Sequence, residues 1–193
     1  MEHKTQFAFA VWITGLPASG KSTVASALAK QLEHLKINAT ILESDAMRKI
    51  FSSNPQYDDQ ARDYFYGSLA FIGRLLTEHG ISVIFDATAN RRSYRERARQ
   101  QIPRFIEVFV DCPLDVCVRR DPKGIYRKAK QGEAQHVPGL QTGYEPPLNP
   151  ALVVRGDQDD PEDSARRIVE LLRSKGYLDA CESGSAGEPE TIR

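Results

Sequence analysis

Cysteine is scarce in this chain of 193 residues. Only Cys112, Cys117 and Cys181 are present, and their spacing fits no metal-binding or redox motif. An odd count without a secretory signal points to reduced thiols in a cytoplasmic protein. Cys112 and Cys117 flank an apolar stretch and read as small core residues. An excess of one charge is also missing. The 26 basic residues balance the 26 acidic ones, which removes the electrostatic case for a large nucleic-acid footprint or an anionic membrane surface. No apolar run reaches the length of a membrane span: FAFAVWITG, from Phe7, is too short, and no small-residue cleavage site follows it. Neither a membrane nor a nucleic acid is expected as a partner. No internal repeat is found, and the length suits one domain with a continuous core.

What is present alternates. FAFAVWIT, INATILE, ISVIFDA, FIEVFVD and ALVV read as five buried strands, because unbroken apolar runs suit a parallel sheet covered on both faces. Between them STVASALAKQLEHL, QARDYFYGSLAFIGRLLTEHG and SYRERARQQ are helical in period. PEDSARRIVELLRSKGYL closes the chain as a helix with acids in its first turn. This order predicts an α/β fold of three layers, a five-stranded parallel sheet with helices on both faces. Residues 119–150 are rich in charge, Gly and Pro and read as a basic lid. One folded domain is expected over 1–178, with a disordered tail over 179–193.

Gly15-Leu16-Pro17-Ala18-Ser19-Gly20-Lys21-Ser22-Thr23 has phosphate-loop spacing, with a strand before it and a helix after it. Its glycines let successive N–H groups turn inward around an anion, and the helix start adds positive potential. Lys21 is expected to reach the outer phosphates of ATP, and the Ser22 hydroxyl to sit on Mg2+. A guanine-reading Asn-Lys-x-Asp motif is absent, and the strand ISVIFDAT ends in a single carboxylate, Asp86. A small chain with a phosphate loop and a basic lid points to a kinase for a small acceptor.

Asp45 and Asp86, at the ends of the second and third strands, are candidates for proton acceptance or metal binding. Asp45 can alternatively only cap the helix that begins AMRKIF. Arg48 lies three residues on and can meet an anionic acceptor or a surface carboxylate, and Arg62 opens the long helix. Arg91, Arg92, Arg95, Arg97 and Arg99 crowd the segment after Asp86, mostly as a solvated face, with Arg92 assigned to the acceptor. Among the lid cations, Arg119, Lys123 and Lys128 are assigned to the nucleotide and Lys123 to the acceptor as well.

The segment EVFVDCPLDVCVRRDPKGIYRKAKQGE, followed by PGLQTGYEPPLNP, resembles the adenylylsulfate (APS) kinase family, as does GLPASGKST. The similarity runs over roughly residues 9–178. It implies transfer of the ATP γ-phosphoryl to the 3′-hydroxyl of APS, with Lys21 and Ser22 on ATP and Mg2+. It also implies that Asp45 is the second Asp of the family's Asp-Gly-Asp and that Arg48 and Arg62 hold the acceptor. A homodimer is compatible with the family, although no exposed apolar stripe is evident in the sequence. Glu43-Ser44-Asp45 stands where Asp-Gly-Asp is usual, and Phe65 and Gly67 replace an Asn and an Arg. Asp86 to Arg92 replaces a Phe-Ile-Ser-Pro segment, so that Ala89 takes the place of its serine. Val137 stands near the place of an aromatic that would stack on adenine. A kinase for another hydroxyl acceptor, such as a polynucleotide 5′-hydroxyl, and a nucleotide-binding module without turnover remain the alternatives.

Overall fold

The computed structural model describes residues 8–51 and 57–178, so the expected tail and Cys181 lie outside the described residues. The elements run β1 (Ala10–Thr14), α1 (Lys21–His34), β2 (Ala39–Glu43), α2 (Ser44–Phe51), α3 (Asp59–Glu78) and β3 (Ser82–Asp86). They continue as α4 (Arg92–Gln101), β4 (Phe105–Asp111), α5 (Leu114–Arg120), α6 (Ile125–Lys130), β5 (Leu152–Arg155) and α7 (Pro161–Ser174). All five strands pair in parallel, in the order β2-β3-β1-β4-β5. Among the described residues no helix is long and apolar enough to cross a membrane.

β1 is apolar throughout because both of its faces are covered. Val11 and Ile13 point into a core shared with Leu28 and Leu32 of α1 and Ile168 and Leu172 of α7. Ala10 and Trp12 point the other way, toward Leu69 of α3, Tyr94 of α4 and Ile102 just after that helix. This is the two-residue alternation of a strand with a helical layer on each side. Trp12 stacks on Phe85 with centroids 4.5 Å apart, and its indole N–H donates to the Ala87 carbonyl at 3.2 Å.

Helix ends explain where the site lies. α3 is capped by Asp58, which accepts from the Ala61 N–H, and α7 by Asp160, which accepts from Glu162 and Asp163. At α1 the cap is Gly20, left-handed at φ 106°, with no side-chain hydrogen bond. Its first N–H groups are therefore available to an anion. The loop that carries them leaves β1 at the centre of the sheet. There the chain first builds outward to β2 and β3 and later to β4 and β5 on the other side, the switch point where such sheets bind ligands.

The segment 119–150, expected to be an irregular lid, contains α6 and joins a small core in which Tyr126, Ala129 and Val137 pack with Cys112 and Cys117 and with Leu16 and Ala18 of the phosphate loop. Tyr126 and Ala129 are three apart on α6, so a single turn of helix suffices to anchor the segment. Both cysteines are buried and unbridged, as expected. Burial, with Cys112 beside it, pushes the Cys117 thiol up to about 12. The outer face of α3 also exposes Tyr64, Phe71 and Leu75, an apolar stripe that the sequence pattern did not reveal.

Candidate active site

The donor side is a cleft of about 560 Å³ at the carboxyl ends of the strands. Pro17, Ala18, Gly20, Lys21, Ser22 and Thr23 line it from the phosphate loop, with Asp86 on the adjacent wall. Gly15, Leu16 and Ser19 shape the loop from behind. A Cβ on Gly15 would stand 2.5 Å from the Val110 carbonyl oxygen, so the loop rests directly on β4. The Lys21 ammonium donates to the Leu16 carbonyl at 2.8 Å, which folds the side chain back along the loop. Burial lowers its pKa, and the charges of Asp86 and Asp45 act against that shift. Asp86 is buried and its pKa is raised by burial. Lys21 and a hydrogen bond from Ser22 oppose that rise. Among the described residues no group of His, Cys, Asp and Glu forms a metal cage. One hydroxyl and one buried carboxylate are a donor set suited to Mg2+, which keeps waters and phosphate oxygens as its main ligands.

A second cavity of about 380 Å³ lies beyond it. Arg48, Arg62, Lys123 and Lys128 line this cavity, with Asp45 and Glu133 as its acidic residues. Arg48 is buried and stacks over Phe65 at 3.8 Å, with Tyr57 and Tyr66 within 5.3 Å. Among the described residues Arg48 forms no surface ion pair, the alternative open to it in the sequence. The two cavities share Asp45, Lys123 and Thr88 on their common wall. Lys123 reaches from the lid to Asp45 at 2.7 Å and Glu43 at 3.3 Å, which ties the lid to the end of β2. Partial burial works against the Lys123 charge, but Asp45 and then Glu43 outweigh it and its pKa rises. β2 and β3 pair in register at Glu43 and Asp86, so the two candidate carboxylates end on one edge.

The sequence profile of adenylylsulphate kinases matches residues 7–155. The chain belongs to the adenylylsulfate kinase family. The adenylyl-sulfate kinase of Synechococcus sp. (strain JA-3-3Ab) is 39% identical over 168 residues, covering 87% of this chain and 96% of the relative. That of Halothermothrix orenii is 36% identical over 184 residues, covering 95% of this chain and all of the relative. Among solved structures, the Mycobacterium tuberculosis APS kinase in complex with AMPPNP and APS superposes with a TM-score of 0.81. It is 34% identical, and the match covers 86% of this chain and 98% of that one.

Several departures from the family pattern fall around the second cavity. Val137 lines it, Phe65 supports Arg48, and Ala89 is buried with its N–H bonded to the Tyr66 hydroxyl. Several assigned residues stand elsewhere. Asp45 is inside the first turn of α2, which starts at Ser44, so it is not the cap. Arg119 is exposed and paired with Asp115 at 2.5 Å, one turn back on α5. Its neighbour Arg120 lines the donor cleft instead and donates to the Gly156 carbonyl at 2.8 Å. The i,i+4 pairing with Asp115 was the signal in the sequence that Arg119 faces outward. Lys128 lines the second cavity rather than the donor cleft.

Arg92 lines neither cavity: its Nε donates to the Pro146 carbonyl at 2.7 Å and its N–H to Glu145 at 2.8 Å. The other arginines of this run are also structural. Arg91 and Arg97 pair with Asp59 and Asp63 of α3, and Arg95 and Arg99 converge on Glu107. Thr88 and Asn90 were missed, because a short polar residue in a loop carries no periodic signal.

Proposed function

We propose that the chain transfers the γ-phosphoryl group of ATP to the 3′-hydroxyl of APS, giving PAPS. The observation that carries this reading is the common wall. A phosphate-loop cleft and a cavity lined by two buried guanidinium groups meet at Asp45 and Lys123. A nucleotide triphosphate in the first presents its terminal phosphate to an anionic acceptor in the second. The fit with APS is chemical: Arg48 and Arg62 suit its phosphosulfate, and the aromatic and apolar walls suit its adenine.

In this mechanism the 3′ oxygen attacks the γ phosphorus, the bond to the β-bridging oxygen breaks, and ADP leaves. The hydroxyl proton passes to Asp45, which lines both cavities. Asp86 lines only the donor cleft, so with Ser22 it is assigned to the metal side. Bound Mg2+ would neutralise phosphate charge there. Lys21 and the open N–H groups of α1 hold the β- and γ-phosphates. Lys123 closes the lid against Asp45 and limits water access. A cytoplasmic location and a role in sulfate activation go with this reading.

Lys128→Ala is expected to raise the KM for APS about three- to tenfold and to leave that for ATP unchanged, because one long-range cation is lost from the acceptor cavity alone. Steady-state kinetics with each substrate varied in turn check this. The reading itself is tested by ADP release from Mg-ATP with APS, adenosine monophosphate, a 5′-hydroxyl oligonucleotide or no acceptor. Turnover that depends on APS supports it. Turnover only with another acceptor would refute APS and retain the kinase.

A further inference from the structure

We infer that Asn90 is the positioning residue that orients Arg62 in the acceptor cavity, and that it does so without cancelling the charge of the guanidinium. This rests on the proposed reading of the cavity as the seat of an anionic acceptor. Arg62 is buried, and among the described residues each of its hydrogen-bond acceptors is a neutral oxygen. Nε donates to the Tyr57 carbonyl at 2.8 Å, Nη1 to Asn90 Oδ1 at 2.8 Å and Nη2 to the His136 carbonyl at 2.7 Å. Burying a cation among neutral groups is costly, and burial lowers the Arg62 pKa accordingly. A fixed but uncompensated guanidinium is what an incoming anion can pair with most strongly.

Asn90 is the one side chain in that set, and its own bonds leave it no freedom. It is 1% exposed, its Nδ2 donates to the Gly143 carbonyl at 3.1 Å, and its main-chain carbonyl accepts from the Glu145 N–H at 2.8 Å. The amide has only one orientation that satisfies both neighbours, because Arg62 offers only donors and Gly143 offers an acceptor. Asn90 therefore joins three segments: the start of α3, the loop after β3 and the returning lid chain. An Asp in its place would keep the Arg62 contact, neutralise the cation and set a carboxylate against the Gly143 carbonyl.

Asn90→Ala and Asn90→Asp separate orientation from charge. Asn90→Ala is expected to raise the KM for APS about tenfold or more, as befits a hydrogen bond to a charged group, and to leave the KM for ATP nearly unchanged. Asn90→Asp is expected to raise the KM for APS comparably by pairing the cation. The Arg62 Nε–H resonance, assigned by its loss in Arg62→Lys, reports orientation directly. Its exchange with water should quicken in Asn90→Ala and stay slow in Asn90→Asp. An unchanged exchange rate in Asn90→Ala overturns the inference whatever the acceptor, and so does a KM for APS within about twofold of wild type in both variants. Absence of APS turnover by the wild-type protein would instead count against the proposed function, while the resonance still decides the role of Asn90.

Discussion

Asp45→Asn is expected to lower kcat with APS by about two orders of magnitude or more and to leave the KM for ATP within about twofold. Asp45 is the carboxylate on the wall shared by the two cavities, so it is the one placed to take the proton of an acceptor held between them. In the structure it is held by Lys123 at 2.7 Å. The amide keeps the shape and a weaker contact to that lysine but cannot accept the proton at useful strength. Lid closure alone would give a different pattern: if Asp45 served only to anchor Lys123, the variant would raise the KM for ATP and spare kcat. Rates at saturating ATP and APS distinguish the two. Unchanged turnover would transfer the role to Asp86.

Lys21→Ala is expected to cost about three orders of magnitude in kcat and to weaken ATP binding as well. Lys21 is buried at the start of α1, between Asp86 and the loop carbonyl of Leu16. Its ammonium is the one loop cation that lines the donor cleft from below, and nothing on that wall can replace it. Single-turnover measurements with excess enzyme separate the chemical defect from the binding defect. A variant that keeps wild-type turnover would mean that the phosphate loop binds a nucleotide without acting on it.

Much of this was legible because the signals are local. The five apolar runs became five strands, but only the inner three, β1, β3 and β4, are largely buried; the edge strands β2 and β5, expected to be buried as well, are partly exposed because each has a neighbour on one side alone. GLPASGKST specified its own loop by the two positions where only Gly fits. The arginines after Asp86 were harder. Arg91, Arg95, Arg97 and Arg99 each meet a carboxylate on another element, Asp59, Glu107 or Asp63, and partner choice across the fold leaves no trace in local spacing. Arg92 fails as an acceptor ligand for the same reason: its partners lie more than fifty residues away in the returning lid chain. Lys128 was assigned to the nucleotide but lines the second cavity, because the sequence does not say which turn of α6 faces which cavity. The meeting of the two cavities at Asp45, Lys123 and Thr88 is a property of the folded chain alone.

The most direct test of the account is the identity of the product. The protein would be incubated with Mg-ATP and APS and the mixture followed by 31P NMR. The account predicts a new phosphomonoester on the 3′ oxygen, with the phosphosulfate intact and ADP formed in equal amount. ADP with free phosphate, or a phosphoryl group on any other position, would contradict it.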